Sequence, residues 1–310
     1  KIEAKYLSLI TPTRWFAGGK GLDDFRDHML DNAHIKELHD YTHPEDVFPD
    51  TNNRGGICYF FQDNNYINTT APYVHVVTHM KNDITVASNR LMRIGNLDIF
   101  VRYIQSIPIL DKVGILNNAA PTLSNYISPR KPFGIESNII KSQQFHRSTE
   151  KMIEPVKCYA KGKITGYVEK AIVSNYSEYG DLWKVYLPRA NNIGTELNDD
   201  NLNAFVGEAG SICTEAYLFV GIGLKLNQYS AINLQIYLQT KFARFFHLLA
   251  KASHDATSKT YRFVPLQDFT EHSDIDWSKS IAEIDQQLYR KYNLSDDEIA
   301  FIEKMIKPME

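Results

Sequence analysis

Cysteine is scarce in this 310-residue sequence, and long hydrophobic runs are absent from it. The three cysteines, Cys58, Cys158 and Cys213, are far apart and odd in number, which excludes a disulfide framework and a CxxC-type zinc site. No apolar run approaches the ~18 to 20 residues that cross a bilayer, and the N-terminal residues lack the charged-then-apolar pattern of a signal peptide. We therefore expect a soluble protein of the reducing cytoplasm that has no contact with a membrane.

The motifs of nucleotide, metal and nucleophile chemistry are also missing. The glycine-rich turn 18–21 (GGKG) lies between a strand pattern and a helix pattern, but Lys20 is followed by glycine and not by the Ser or Thr of a phosphate-binding loop. We interpret it as a flexible turn in which Lys20 is a candidate phosphate contact. His75 and His79 stand four residues apart without a carboxylate in register, so no metal site is predicted. Cys58 lies in an apolar strand pattern, which favours an inert core thiol, and no catalytic residue is predicted.

The first 66 residues have the pattern of an α/β sheet. Residues 6–11 and 35–41 are typical of strands, and residues 56–61 are apolar on both alternating faces, as in a strand inside a sheet. From Leu22 to Leu30 apolar residues recur at helical spacing, with acidic residues in the first turn where the helix dipole favours them. The order strand, helix, strand, loop, strand predicts the end of an α/β sheet.

The remainder is predicted to be an irregular α+β unit that ends in helices. A helix from about residue 98 is predicted first, and short strand patterns at 165–168, 182–187 and 214–221 follow it, divided by Pro, Asn, Gly and Ser. Apolar periodicity then predicts helices over 232–252 and 281–292. A last helix begins at Ser295, which has capping-box spacing to Glu298, and ends before Pro308.

Positive charge is concentrated in the middle of the chain, although the net charge is −3. Residues 128–190 hold eleven Lys and Arg against six Asp and Glu, with tyrosines interleaved. Such a surface neutralises phosphates and offers planar groups to bases, but a merely solvated face has the same composition. The candidate nucleic-acid contacts of this stretch are Arg130, Lys131, Lys141, Arg147, Lys161, Lys163, Lys184 and Arg189.

A second basic stripe is predicted on the 232–252 helix. Lys241, Arg244, His247 and Lys251 recur at spacings of three, three and four, which places them on one helix face. Lys241 and Arg244 are therefore candidate phosphate contacts, with a solvated stripe as an equal alternative. Residues 261–310 are acidic, and we expect the helices of this tail to clamp the structure without touching nucleic acid.

Several ordered segments resemble one protein family. The segments 7–15 (LSLITPTRW), 16–26 (FAGGKGLDDFR), 46–49 (DVFP) and 55–60 (GGICYF) resemble the stretch after the catalytic motif in γ-class adenine-N6 DNA methyltransferases. These enzymes are typified by the TaqI methylase and the Eco57I-like restriction-modification proteins. The segments 128–134, 212–217, 240–245, 261–269 and 301–309 resemble the target-recognition half of the Eco57I-like proteins. The resemblance covers nearly the whole chain.

The resemblance implies a DNA-recognition role without chemistry in this chain. It implies that residues 1–95 finish a Rossmann-like methyltransferase sheet and that residues 96–310 form a target-recognition domain that binds double-stranded DNA. Phe48, followed by Pro49, matches the family's phenylalanine that stacks on the flipped target adenine. The S-adenosylmethionine loop and the Asn-Pro-Pro-Tyr motif of the family lie upstream and do not occur here. We therefore expect an excerpt of a longer restriction-modification protein, inactive alone, without a cofactor of its own and completed by the remainder of its parent.

The resemblance also indicates which part of the chain is expected to read the DNA sequence. Loops of residues 128–190 are expected to enter a groove of the DNA, with Asn191 or Asn192 among the adenine readers. The resemblance leaves open whether the parent carries a nuclease or a helicase in addition.

Two alternatives from other classes remain open at the level of the sequence. One is an independent α/β enzyme that uses the 18–21 turn for a nucleotide or sugar phosphate. The other is a protein-interaction module whose basic middle is only solvated, which predicts no salt-dependent DNA binding.

Overall fold

A five-stranded sheet forms from the N-terminal part of the chain in the computed structural model, which describes residues 4–50, 55–66, 73–81, 84–194, 199–251 and 255–309. Its strands are adjacent in the order β1-β3-β2-β4-β5, and only β2 and β4 pair in parallel. The strands are β1 (Tyr6–Pro12), β2 (Ile35–Tyr41), β3 (Ile57–Asp63), β4 (Tyr73–His79) and β5 (Thr85–Leu91). The predicted strands β1, β2 and β3 and the mixed α/β class are confirmed, whereas β4 and β5 were not predicted.

One face of this sheet carries the first hydrophobic core. Helix α1 (Asp23–Leu30) supplies Met29 and Leu30, which are buried in one cluster with Leu38 of β2 and Phe60 of β3. From Leu38 to Tyr41 buried and partly exposed residues alternate along β2, as the two-residue period of a strand with one covered face requires, and the alternation is shifted at Ile35–Glu37 by an irregularity in the pairing with β3. Cys58 is fully buried in this core, as predicted, and burial raises the pKa of its thiol to about 11.

The helix expected from about residue 98 is shorter than predicted. Helix α2 (Ser106–Lys112) begins at Ser106, so that Ile99 and Tyr103 precede it. The correction has a backbone cause, because Pro108 has no N–H and is tolerated only in the first turn of a helix. A helix that contains Pro108 therefore cannot extend back to residue 98.

The rest of the chain forms two three-stranded sheets. The strand orders are β10-β6-β7 and β11-β8-β9. The strands are β6 (Pro155–Ala160), β7 (Ile164–Glu169), β8 (Lys184–Pro188), β9 (Phe205–Gly207), β10 (Ser211–Cys213) and β11 (Tyr217–Val220). Short strands inside long connections agree with the predicted irregular α+β texture.

Four helices follow these sheets, and one of the predicted helices is divided in two. The helices are α3 (Gln228–Gln239), α4 (Lys241–Leu249), α5 (Ile281–Lys291) and α6 (Asp296–Met305). The helix predicted over 232–252 is interrupted at Thr240, whose backbone is extended with φ −62° and ψ 149°. The Thr240 hydroxyl accepts the N–H of Ala243 at 3.1 Å, which is the geometry of a residue that starts a new helix. The capping box of Ser295 and Glu298 at the start of α6 is confirmed.

The chain divides into two units. The first comprises Lys1–Ala119 with Leu249–His254, and the second comprises Ala120–Leu248 with Asp255–Glu310. The first unit thus extends past the predicted boundary at residues 95 and 96, and the assignment of catalytic and recognition roles to two domains stays a prediction. Among the described residues, no helix combines the length and the apolarity needed to cross a membrane.

Candidate nucleic-acid interface

Phe48 lies on the segment that leaves β2 at Tyr41 and returns to β3 at Gly55, with residues 51–54 outside the described part. A short 3-10 turn at Pro44–Asp46 shapes this segment, and the N–H of Phe48 donates to the carbonyl of Pro44 at 2.9 Å. The Phe48 side chain is 39% exposed, unlike the phenylalanines of the core. The structure therefore presents this aromatic ring to solvent from a hydrogen-bonded turn.

The segment of Phe48 begins at the carboxyl edge of the sheet. Strands β1, β2 and β4 run in the same direction, so their carboxyl ends meet at one edge. Thr42, directly after β2, donates from its N–H and its hydroxyl to the carbonyl of His79 at the end of β4, each at 3.0 Å. In open α/β sheets ligands bind outside the carboxyl ends of the strands. The segment that carries Phe48 therefore starts at the edge where β1, β2 and β4 end.

A buried ion pair lies beneath the same edge. The Nε of Arg102 lies 2.8 Å from a carboxylate oxygen of Asp40, which is fully buried near the end of β2. Burial raises the pKa of Asp40 to about 6, against the opposing attraction of Arg102 and Arg90. The sequence did not indicate this pair, because 62 residues separate its members and neither lies in a recognised motif.

The backbone of the glycine turn 18–21 is hydrogen-bonded to the side chain of Arg26. Arg26 of α1 donates to the carbonyl of Gly18 at 3.3 Å and to that of Asp98 at 2.6 Å. Lys20 is exposed at the tip of the turn. Lys20 therefore stays at the surface, and its contact with a phosphate remains a prediction, while the carbonyl of Gly18 is used in holding the fold together.

In the second unit, three of the predicted cations lie on and beside one β-hairpin. Strands β6 and β7 are joined at residues 161–163, where Gly162 has a positive φ of 75°. Lys161 and Lys163 are exposed there, and the Lys163 ammonium lies 5.1 Å from the ring centroid of Phe205. The exposed Arg147 donates to the carbonyl of Thr165 at the start of β7, at 3.1 Å. The hairpin therefore concentrates positive charge next to an aromatic ring.

The other cations of the basic stretch have different surroundings. Arg130 and Lys141 are exposed. Lys131 pairs with Glu136 at 2.7 Å, and the Nε of Arg189 lies 3.7 Å from Asp255. A paired cation offers less net charge to a phosphate, so Lys131 and Arg189 are weaker candidates than the exposed cations of the hairpin.

Lys184 is a correction to the predicted contacts. The residue is 1% exposed on β8, and its ammonium donates to the carbonyls of Gly180 and Ser211 at 3.2 and 2.9 Å. Burial lowers its pKa to about 8. Because the charge is buried in hydrogen bonds to the backbone, it is withdrawn from the surface and cannot neutralise a phosphate.

The stripe predicted on the later helix is also corrected. Arg244 is 2% exposed and donates to the carbonyls of Asp200 and Lys307 at 3.2 and 2.9 Å. Lys241 is ion-paired with Glu303 of α6. These cations hold the C-terminal segment, which agrees with the clamp expected for the acidic tail.

The adenine reader proposed at Asn191 is likewise revised. Asn191 is buried, and its amide lies 3.2 Å from a ring nitrogen of the buried His247. His39 and His79 stack at 5.4 Å between ring centroids, with a ring nitrogen pair at 3.1 Å. Within the described ranges, no group of three or more His, Cys, Asp or Glu residues forms a metal-binding cluster.

Comparison with known proteins bears on the first unit in particular. Residues 1–48 match the model of the Eco57I restriction-modification methylase family. A protein of Mycoplasma pneumoniae described as an uncharacterized adenine-specific methylase is 38% identical over 66 residues, which are 21% of this chain and 16% of that protein. The chain therefore spans a small part of this relative.

Two solved restriction-modification enzymes are similar over 97% of the chain. The type IIL enzyme MmeI, solved in complex with DNA, has a TM-score of 0.51 at 8% identity, and the match covers 50% of MmeI. The type IIG restriction endonuclease BpuSI has a TM-score of 0.39 at 12% identity, and the match covers 46% of it. The likeness to MmeI concerns the fold alone. The resemblance predicted from the sequence is confirmed, and through its first 48 residues the chain is related to the Eco57I restriction-modification methylases.

Proposed function

We propose that this chain is the DNA-recognising part of a site-specific adenine-N6 methyltransferase of a restriction-modification system. The match of residues 1–48 and the methylase relative support the class of enzyme. The observation that carries the proposal is the partly exposed Phe48, seven residues after the end of β2 and in the Phe-Pro pair that the family resemblance assigns to base stacking.

The exposed edge of the first sheet supports the proposal that further strands complete it. Strand β1 is an edge strand on which Tyr6, Leu9 and Ile10 are 54%, 46% and 58% exposed. An exposed hydrophobic edge is a template for pairing with another strand. We infer that the remaining strands of the parent methyltransferase pair with β1.

The family's S-adenosylmethionine loop and Asn-Pro-Pro-Tyr motif do not occur in this sequence, and we propose that the cofactor is bound by the rest of the parent. The 18–21 turn has glycine after Lys20 and not the Ser or Thr of a phosphate-binding loop. This departure weighs against the alternative of an independent nucleotide-using enzyme.

Phe48 would replace the stacking that a base loses when it leaves the duplex. Extrusion of a base costs a few kcal/mol of stacking and pairing, and an aromatic plane restores about 1 to 3 kcal/mol of it per base. Phe48 is 39% exposed, so part of its surface is open to a base before the base arrives.

The basic hairpin of the second unit would supply part of the phosphate contacts. Binding that neutralises about six phosphates loses roughly three decades of affinity between 50 and 200 mM salt. Each lysine that contacts a phosphate contributes about one to the slope of log affinity against log salt. The double variant Lys161→Gln/Lys163→Gln is therefore expected to lower the slope by about two, and Lys279→Gln in the acidic tail to leave it unchanged.

The test is fluorescence-anisotropy binding of the chain to duplex DNA at a series of salt concentrations. Selection from randomised duplexes first gives the preferred sequence, and a duplex with an abasic site opposite each adenine of that sequence then makes the base easy to extrude. Phe48→Ala is expected to weaken binding to the abasic duplex by about tenfold more than binding to the intact duplex. Salt-independent binding without a selected sequence would contradict the proposal and favour the protein-interaction module.

A further inference from the structure

One guanidinium group ties together both ends of the segment that carries Phe48. The Nε of Arg102 pairs with Asp40, the penultimate residue of β2, at 2.8 Å. Its Nη2 donates to the carbonyl of Gly55, where the chain returns toward β3, at 2.6 Å. The same nitrogen donates at 2.8 Å to the hydroxyl of Thr13, directly after β1. The outgoing and returning backbone are thus fixed to one side chain.

The returning backbone is packed without free space. The N–H of Thr13 donates to the carbonyl of Gly56 at 3.1 Å. Gly56 has a positive φ of 97°, and a Cβ added there would lie 2.4 Å from the carbonyl oxygen of Tyr41 and 3.2 Å from Nη2 of Arg102. The backbone can therefore adopt this arrangement only with glycine at position 56.

Stability alone is a poor explanation of this pair. Asp40 is fully buried, and its burial outweighs the attraction of the cations, as the raised pKa shows. Buried ion pairs often stabilise a protein no more than apolar residues of the same size, and their best-attested use is to select one arrangement. The planar guanidinium of Arg102 holds three partners in fixed directions, so it restricts the backbone around it more than the ammonium of a lysine would.

We propose that Arg102 and Asp40 are positioning residues that hold the Phe48 segment in the arrangement needed to receive an extruded base. The proposal rests on the function proposed above. Neither residue has to touch DNA, since both act through the backbone that carries Phe48.

Protonation of Asp40 is expected to affect the Phe48 segment and the global stability of the chain in opposite directions. The titratable groups around it are Arg102, Arg90 of β5, Tyr103 and Cys58 of β3. The pKa of Asp40 in the folded chain, about 6, lies above its ordinary value of 3.8. The contribution of this group to global stability is therefore fully present below pH 3.8 and is lost as the pH rises through about 6. The ion pair has the opposite dependence, because acidification removes the charge that attracts Arg102.

The test measures hydrogen exchange of the Val47 and Phe48 amides, both of which are bonded to the carbonyl of Pro44. Arg102→Lys keeps the charge and loses the fork, and it is expected to lower the protection factors of these amides at least tenfold while those of the β2–β4 ladder stay unchanged. The matched control is Arg93→Lys, which breaks an exposed pair with Asp27 and Asp31 in the same unit. Equal protection in Arg102→Lys and the wild type would overturn the proposal.

A pH series keeps the proposal testable if Arg102→Lys does not fold. In the wild type, protection factors corrected for intrinsic exchange are expected to fall between pH 7 and pH 5 for the two amides. In Asp40→Asn they are expected to be low and independent of pH. Protection factors that do not change with pH in the wild type would contradict the positioning role of Asp40 and Arg102.

DNA binding then separates this proposal from the function it rests on. Arg102→Lys is expected to reduce the preference for the abasic duplex as Phe48→Ala does, with no further loss in the double variant. If Phe48→Ala leaves the preference for the abasic duplex unchanged, the base-stacking function is wrong, and so is the positioning role that rests on it. If Phe48→Ala reduces the preference and Arg102→Lys does not, only the positioning role of Arg102 and Asp40 is wrong.

Discussion

The carboxylate of Asp285 on α5 accepts the backbone N–H of Phe242 in the first turn of α4, at 2.9 Å. It also accepts the N–H of Lys241 at 3.0 Å, so two of the N–H groups that a helix leaves unpaired at its start are satisfied by a side chain more than 40 residues away. This contact explains why α4 begins at Lys241 and why the long helix predicted there is divided.

Replacement of Asp285 by Asn is expected to change the pH dependence of stability. Burial raises the pKa of Asp285 from 3.8 to about 6, against its hydrogen bonds from Phe242 and Lys241. The group therefore stabilises the wild type fully below pH 3.8, and this contribution is lost as the pH rises through about 6. The difference in unfolding free energy, wild type minus Asp285→Asn, should fall by on the order of 2 kcal/mol between pH 4 and pH 7. Urea unfolding at several pH values measures it, and a constant difference would refute the raised pKa.

Gly56→Ala is expected to destabilise the first unit severely. The added Cβ would lie 2.4 Å from the Tyr41 carbonyl oxygen at a φ of 97°, so backbone must move. We expect a loss of roughly 3 kcal/mol or more in unfolding free energy. Gly21→Ala is the matched control, because Gly21 also has a positive φ of 76° but no neighbour within 4 Å, and it should cost only about 1 kcal/mol. Equal losses in the two variants would show that the clash at Gly56 is relieved.

Lys184→Met is expected to alter stability and to leave DNA binding unchanged. Burial lowers the pKa of Lys184 from 10.5 to about 8, so its contribution is present above pH 10.5 and is lost as the pH falls through about 8. The wild type should therefore gain on the order of 2 kcal/mol relative to the variant between pH 7 and pH 10. Thermal unfolding measures this gain, with the exposed Lys170→Met as a control that stays flat. A lower salt slope of DNA binding in folded Lys184→Met would restore Lys184 to the interface.

Local sequence patterns were sufficient to predict the elements whose structure depends mainly on their own residues. The strands β1, β2 and β3 and helix α1 follow from periodicity, and α6 follows from the capping box of Ser295. Phe48 was found through the family resemblance and Lys161 and Lys163 through charge, and the structure exposes all three at turns. Their contact with DNA stays a prediction.

The sequence alone determined the mixed α/β class of the fold, the burial of Cys58 and the relationship to restriction-modification methylases, because periodicity, composition and ordered motifs are properties of neighbouring residues. Only the tertiary structure decided which charges remain at the surface. Lys184 and Arg244 have the same side-chain chemistry as the exposed cations, yet backbone carbonyls brought from distant segments bury them. The pairing of Arg102 with Asp40 was decided in the same way, since the free energy of a buried charge depends on partners that the fold alone brings within hydrogen-bonding distance.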